Sequence, residues 1–279
     1  MVIPHDAGDQ PVLPKNTTSS SLDLDPIITN RYYPLTRYLV NGSDSLAIER
    51  FKIRELCEGW SCHRDACEWE KFRAMFADDA YVFTTWSGPK HIDDFIKVST
   101  KGFKDGDWIM HRANGVTCDV TTEGPATGQR GVGKMKVTIT QRFTLPANDG
   151  DGDAVVDIEC DATFFYFVYR DPKYNNDWKV KYYKSIYYKD KLIPIDPFKL
   201  PKINRTELAK YPEASSSCRS SWYPVRANNI SLAYGQAYAG HPILMDLPER
   251  SGKPKDKLYE ACVSWLKGED VEKLLGFPR

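Results

Sequence analysis

Hydrophobic and polar residues alternate along the middle of the chain. From Met135 to Leu145 nearly every second residue is apolar, and lysine, threonine and arginine occupy the positions between. A period of two is typical of a strand with one buried face. The stretches with a strand-like pattern are 108–121, 132–145, 154–170 and 177–189. Because a glycine- and aspartate-rich turn (148–153) joins two of them, we predict an antiparallel meander.

The residues before this meander have a helical period instead. Leu46, Ile53, Leu56 and Trp60 recur at spacings of 7, 3 and 4, which predicts one face of a helix. Gly59 marks the expected end of that helix.

A second and a third helix are predicted between this helix and the meander. Asp65 followed by Glu68 is a capping-box pattern, which predicts that Asp65 caps a second helix. The apolar residues expected to face inward from that helix are Trp69, Phe72 and Phe76. Tyr81–Trp86 has the composition of a strand, and Pro89 is expected near the start of a third helix that runs to about Lys101.

The order of these elements predicts an α+β fold. One curved antiparallel sheet wrapped around the N-terminal helices would form a cone with a mouth at one end, and such a cone suits a small-molecule pocket. We predict a disordered arm over 1–28 and a catalytic domain over 29–196. A C-terminal extension follows over 197–279, with a helical part at about 255–275 and an irregular loop at 214–231.

Composition excludes several classes of function. The 38 Lys and Arg residues balance the 38 Asp and Glu residues, so no net charge favours nucleic acid. No run approaches the roughly 20 apolar residues that span a bilayer, and the first residues lack the pattern of a secretory signal. Seven cysteines is an odd number, which favours reduced thiols. We therefore expect a cytoplasmic protein without a membrane or nucleic-acid partner.

Two short patterns permit a metal site but fit it poorly. Cys57, Cys62 and Cys67 repeat every five residues beside His63, whereas zinc sites commonly use C-x2-C pairs. The turn at 148–153 begins like a calcium loop but lacks the glycine needed at its sixth position, so a hairpin turn is favoured. The sequence leaves the metal, if any, unknown.

The candidate chemistry centres on one of only five histidines. His111 shares a face of its strand with Ile109 and Ala113, and a histidine there is commonly a structural residue. A nearby carboxylate such as Asp65 would instead orient the imidazole and stabilise its charged form. Two indoles, Trp60 and Trp86, would hold a flat substrate between them. Since no dinucleotide, phosphate-binding or nucleophile-elbow motif is present, we expect chemistry that needs only proton transfer.

The run from Glu58 to Asp65 (EGWSCHRD), with Trp86 and His111 after it, resembles the fungal cofactor-independent decarboxylases of gallate and protocatechuate. These belong to the SnoaL-like, NTF2-like superfamily. The resemblance implies that His111 and Asp65 carry out the proton chemistry and that Trp60 and Trp86 clamp a small aromatic acid and twist its carboxylate. It also implies a homotrimer and a structural potassium ion, with no organic cofactor. The potassium ligands are not identifiable from the sequence.

Two other functions remain open. A dehydratase or cyclase of secondary metabolism, similar to scytalone dehydratase, would use the same Asp–His pair to remove a proton and expel water. A non-catalytic ligand-binding module of the same fold would use neither residue for turnover. The groups that would contact ring hydroxyls are also open, and the candidates are Tyr183, Tyr187, Arg64 and Arg112.

Overall fold

The computed structural model describes residues 43–84, 87–122, 124–202 and 253–277. Its α-helices are α1 (Asp44–Gly59), α2 (Trp69–Ala74), α3 (Ile92–Lys104), α4 (Lys253–Leu266) and α5 (Glu272–Leu275). A π-helix (Trp60–Arg64) continues α1, and a 3-10 turn (Pro172–Tyr174) follows the longest strand. The strands are β1 (Phe76–Thr84), β2 (Gly88–His91), β3 (Trp108–Val120), β4 (Arg130–Pro146), β5 (Asp153–Asp171) and β6 (Asp177–Pro194). The predicted arm (1–28) and irregular loop (214–231) lie outside the described residues.

The described strands form one mixed sheet in the order β2-β1-β6-β5-β4-β3. The predicted meander is confirmed, because β3, β4, β5 and β6 pair antiparallel with their neighbours in sequence. One pair departs from the antiparallel prediction, since β1 runs parallel to β6. These two strands are far apart in sequence, and no hairpin turn dictates their relative direction. The α+β architecture predicted from the sequence is therefore confirmed with one parallel pair.

Several element boundaries differ from the prediction. Phe76 begins β1 instead of ending a helix, and Pro89 lies in the short strand β2. Helix α3 begins only at Ile92, after His91 accepts a hydrogen bond from the Asp93 amide at its start. Proline is tolerated both in the first turn of a helix and in an edge strand. Pro89 lies in the edge strand β2.

One face of the sheet, the inner face, packs against α1. Ile53, Cys57 and Trp60 are all at most 2% exposed, and they lie over alternate residues of the long strands. Tyr166 of β5 reaches this helix directly, because its hydroxyl donates to the carbonyl of Cys57 at 3.2 Å. The inner face of β4 has glycine at positions 131 and 133. A Cβ atom at either position would overlap a side chain of the helix, Ile53 or Cys57.

We expect Gly133→Ala to destabilise the protein by about 1–3 kcal/mol, the range for overpacking a close-packed core. A Cβ atom at Gly133 would overlap the sulfur of Cys57, and both residues are buried. Urea unfolding of the variant would measure this change. Gly102→Ala is the control, because its Cβ would meet only the flexible side chain of Asp107 and alanine favours helix. Equal unfolding midpoints for the two variants would contradict this account of the packing.

The opposite, outer face of the sheet packs against the C-terminal helices. Trp265 of α4 donates its indole N–H to the carbonyls of Gly131 and Val168, each at 3.0 Å. In α5, Glu272 accepts a hydrogen bond from the Tyr182 hydroxyl at 2.6 Å. The predicted helix at 255–275 is thus two helices, separated by a turn in which Gly268 has φ +91°. Both helices complete the core on this side.

Within the described residues, no helix has the length and the apolar character required to cross a membrane.

Candidate active site

A π-helix brings three of the site residues to one side of the chain. The segment Trp60–Arg64 continues α1 with a wider turn, so residues four and five positions apart face the same way. Trp60 and Arg64 are 2% and 4% exposed, and the side chain of the following Asp65 is largely buried. Sequence analysis missed this element, because Gly59 was interpreted as the end of the helix.

Asp65 binds His111 through both carboxylate oxygens. Oδ1 lies 2.7 Å from the His111 Nδ1 atom, and Oδ2 accepts the His111 backbone N–H at 2.5 Å. The predicted pairing of these residues is therefore present in the structure. The predicted capping role is wrong, since α2 begins at Trp69 with Glu68 at the position before it and no side-chain cap. Both oxygens of Asp65 are already engaged by His111, which lies 46 residues further along the chain.

The surroundings of His111 favour its neutral form. The ring lies on the inner face of β3, opposite Ile139, and its burial lowers its pKa more than the Asp65 carboxylate raises it. The nearby positive charge of Arg64 lowers the pKa further. Because a carboxylate only accepts, Nδ1 carries the proton and Nε2 has the lone pair. No described residue forms a hydrogen bond with Nε2, so this atom is available to take a proton from a substrate.

Trp60 lies beside His111 but is enclosed by other rings. Its ring stacks on Tyr183, with centroids 4.0 Å apart and planes 9° apart, and it also contacts Phe95. The centroid of the His111 ring lies 6.3 Å from that of Trp60, with the ring planes 79° apart, and Phe164 contacts both rings. One face of the indole is therefore covered by Tyr183. Trp86, the predicted second half of the clamp, lies outside the described residues.

Arg64 places a buried positive charge next to the Asp65–His111 pair. Its Nη1 atom is 3.8 Å from Asp65 Oδ1. Its guanidinium carbon lies 5.5–6.0 Å from the ring centroids of Trp60, Phe95 and Phe103. A guanidinium surrounded by rings keeps its charge with little water. The site therefore contains an acid–base pair with an adjacent cation.

The remaining candidates for contact with ring hydroxyls divide between the two faces of the sheet. Tyr183 is fully buried on the inner face, where it stacks on Trp60. Arg112 lies on the outer face, where it pairs with Glu159 and donates to Thr140 Oγ1. Adjacent strand residues point to opposite faces, so Arg112 points away from its neighbour His111 and is excluded from the site. The side chain of Tyr187 lies outside the described residues.

The cysteine repeat near the site does not converge on a metal ion. Cys57 is buried against the sheet, whereas Cys62 and Cys67 are exposed. His63 instead pairs with Glu68, with Nδ1 and Oε2 2.7 Å apart. In the part of the chain that the structure describes, no group of three or more His, Cys, Asp and Glu side chains is arranged to hold a metal.

We expect Asp65→Asn to lower kcat about 10²–10³-fold, within the range for impaired general acid–base catalysis. The acid limb of the rate–pH profile should also move to lower pH. The reason is that the carboxylate raises the pKa of His111, and its loss leaves burial and Arg64 unopposed. A base must be unprotonated to act, so a lower pKa extends activity downward in pH. Steady-state rates across pH would measure both effects.

Glu68→Gln is the matched control for this change, because Glu68 contacts His63 in the same geometry on the surface. An acid limb that moves equally in both variants, or in neither, would contradict the assigned role of Asp65.

Comparisons with known proteins identify the domain that contains this site. Residues 47–184 match the model of the SnoaL-like domain. Over 241 residues the chain is 39% identical to pea pathogenicity protein 2 of Fusarium vanettenii, covering 83% of this chain and 91% of that protein. It is 38% identical to an uncharacterized protein of Emericella nidulans, covering 83% of this chain and 92% of that protein.

Solved structures of low sequence identity align with just over half of the chain. A putative scytalone dehydratase from Novosphingobium aromaticivorans has a TM-score of 0.42 at 17% identity, covering 53% of this chain and 89% of its own. A type 2 hexachlorocyclohexane dehydrochlorinase (LinA) has a TM-score of 0.42 at 13% identity. The match covers 58% of this chain and 96% of that protein. None of these four proteins is named as a decarboxylase.

Proposed function

We propose that this chain, which belongs to the SnoaL-like family together with pea pathogenicity protein 2, is a lyase that needs no organic cofactor. The observation that carries the proposal is the Asp65–His111 pair, 2.7 Å apart and enclosed by aromatic rings. Asp65 fixes the tautomer of the imidazole, and the buried position keeps Nε2 unprotonated. Proton transfer at that atom is the chemistry that this arrangement supports.

The proposed reaction is non-oxidative decarboxylation of a polyhydroxybenzoic acid, such as protocatechuate to catechol or gallate to pyrogallol. His111 Nε2 first takes the proton of a ring hydroxyl, and electron density moves to the carbon that bears the carboxylate. The imidazolium, stabilised by Asp65, then protonates that carbon. The bond to the carboxylate breaks, its electron pair restores the aromatic ring, and CO2 leaves. A proton from the solvent restores the hydroxyl, so the net reaction consumes one proton for each CO2 released.

The state of His111 sets the order of these steps. The sequence resemblance allowed an imidazolium that delivers a proton at the outset. The lowered pKa of the buried ring supports a relay instead, in which His111 accepts a proton before it donates one. The substrate and the clamp by Trp60 and Trp86 come from the sequence resemblance, and they remain part of this proposal.

A dehydratase or cyclase is the second candidate, and one observation favours it. A neutral imidazole held by a carboxylate is also suited to removing a proton from carbon while water leaves from the neighbouring atom. The lowered pKa of His111 favours the unprotonated ring that this reaction needs. His111 would only have to accept a proton, and would not have to return it to the substrate. The two candidates share the same base and differ in the bond that breaks.

Incubation of the purified protein, without added cofactor, with mono-, di- and trihydroxybenzoates would test the proposal. We expect release of CO2 and formation of the matching phenol, both lost in His111→Asn and retained in His63→Asn. No CO2 from any member of the panel would refute the decarboxylase. A dehydratase would be identified by loss of water from hydroxylated cyclic ketones with the same dependence on His111. A non-catalytic binding module would show no turnover in either assay.

The sequence resemblance also leads us to propose a homotrimer with a structural potassium ion. Light scattering coupled to size-exclusion chromatography would measure the assembly. Exchange of potassium for sodium or tetramethylammonium in the buffer, followed by thermal unfolding, would test the ion. A monomer whose unfolding temperature is unchanged by this exchange would contradict both expectations.

A further inference from the structure

A buried arginine lies beside the Asp65–His111 pair, and the proposed reaction does not use it. The side chain of Arg64 is 5% exposed. Burying such a charge costs free energy unless an opposite charge offsets it. Asp65 supplies that charge, because its Oδ1 atom lies 3.8 Å from Arg64 Nη1. The same oxygen lies 2.7 Å from His111 Nδ1, so one carboxylate oxygen lies between a guanidinium and an imidazole.

Aromatic rings from two elements enclose the guanidinium. The π-helix brings Trp60 and Arg64 to the same side of the chain, and the guanidinium carbon lies 6.0 Å from the centroid of the indole. Helix α3 contributes Phe95 and Phe103, whose ring centroids lie 5.9 and 5.5 Å from the same carbon. A charge among apolar rings is screened less than a charge in water. Arg64 therefore acts strongly on the groups next to it.

A carboxylate bound to an imidazole has two effects on the ring. It fixes the tautomer by accepting the N–H of Nδ1, and its negative charge also attracts a second proton to Nε2. The second effect would disable a base, because a protonated Nε2 has no lone pair. A positive charge beside the carboxylate weakens the attraction for that proton but leaves the hydrogen bond in place.

The groups around His111 divide clearly by charge. Asp65 raises the pKa of the ring and Arg64 lowers it, in addition to the lowering by burial. Strands β5 and β6 bring the titratable side chains of Cys160 and Tyr183 to the same inner face. Neither a thiol nor a phenol can carry a positive charge. Arg64 is thus the cation that opposes Asp65 at this ring.

We propose that Arg64 is a positioning residue whose charge balances that of Asp65, so that the carboxylate orients His111 without drawing a second proton onto Nε2. The use of Nε2 as a base rests on the proposed function, whereas the protonation of the ring can be measured without any substrate. An arginine that only filled the space between the rings would have no influence on that protonation.

NMR of the ring nitrogens, in protein labelled with isotopic histidine and free of substrate, would test the proposal. The signals of His111 are identified by their loss in His111→Asn. We expect Nε2 to accept its second proton at higher pH in Arg64→Met than in the wild type, because loss of a nearby positive charge raises the pKa of an imidazole. Methionine is uncharged and packs well against aromatic rings. Arg64→Lys keeps the charge and should move the midpoint back toward the wild type.

Arg112→Met is the matched control, because Arg112 adjoins His111 in the chain and also pairs with a carboxylate, Glu159, but on the outer face. It should leave the titration of His111 unchanged. If Arg64→Met does not fold, Arg64→Gln removes the same charge. An unchanged midpoint in the neutral variant would overturn the proposal, and so would a midpoint as high in Arg64→Lys as in Arg64→Met.

The rate–pH profile is a second readout, and its expected change is opposite in sign to that of Asp65→Asn. A base with a higher pKa is unprotonated over a narrower range, so the acid limb should move to higher pH in Arg64→Met. The two readouts separate this assignment from the proposed function. If no turnover is found but His111 titrates at higher pH in Arg64→Met, the assignment holds and the proposed reaction fails. If the protein releases CO2 and the titration of His111 is unchanged in Arg64→Met, the assignment fails and the reaction holds.

Discussion

His111→Asn is expected to lower turnover of the physiological substrate about 10²–10⁴-fold, the range for loss of a general acid–base group. In the wild type, His111 Nδ1 lies 2.7 Å from Asp65 Oδ1. Asparagine places an amide N–H close to the position of Nδ1, so a hydrogen bond to Asp65 is retained. The atom that is lost is Nε2, which no described residue uses. The fold should therefore persist while the proton transfer fails. Steady-state kinetics, with circular dichroism to verify folding, would measure this.

His63→Asn is the control for this prediction, because the structure contains the same interaction a second time. His63 Nδ1 lies 2.7 Å from the Glu68 carboxylate, but both side chains are about one-third exposed. Water screens such a pair, and it contributes little. If both variants lose activity to the same extent, or if His111→Asn keeps full activity, His111 is not the base.

Trp265→Ala is expected to destabilise the protein by about 3–5 kcal/mol, the range for removing a buried tryptophan. The indole of Trp265 is 5% exposed, donates to two carbonyls of the sheet and lies 4.0 Å from the guanidinium carbon of Arg130. Its loss leaves a cavity and removes a hydrogen-bond donor to those carbonyls. Chemical unfolding followed by circular dichroism would give the change in the free energy of unfolding.

Trp108→Ala is the matched control, since Trp108 also lies against an arginine (Arg142, 4.9 Å) but is 44% exposed. We expect a change below about 1 kcal/mol there, as for an exposed cation–π contact. A similar decrease in the free energy of unfolding of both variants would contradict the conclusion that α4 is part of the folded core. A large loss confined to Trp265→Ala would support it.

Much of the fold was predictable because its signals are local. The alternation from Met135 to Leu145 predicts β4 with few errors at its ends, and the other three meander strands follow from composition and turns. Helix α1 was predictable from its apolar period, up to Gly59. Each of these signals depends on contacts between residues that are close in sequence or on one repeated face.

The features that the sequence did not predict depend on contacts between residues that are distant in sequence. The parallel pairing of β1 with β6 joins segments about 100 residues apart, and no turn between them encodes a direction. The π-helix forms where Trp60 and Arg64 are buried among rings from other elements. For the same reason Asp65, which has the local pattern of a helix cap, contacts a histidine 46 residues away.

The sequence by itself determined the class of fold and nominated His111, Asp65 and Trp60, because residue types and spacings are local information. Only the tertiary structure decided how they meet. It joined Asp65 to His111, turned Arg112 to the other face, and covered the ring of Trp60 with Tyr183. It also lowered the pKa of His111, because the pKa of an imidazole depends on the burial and charges around it. Those surroundings come from residues distant in sequence.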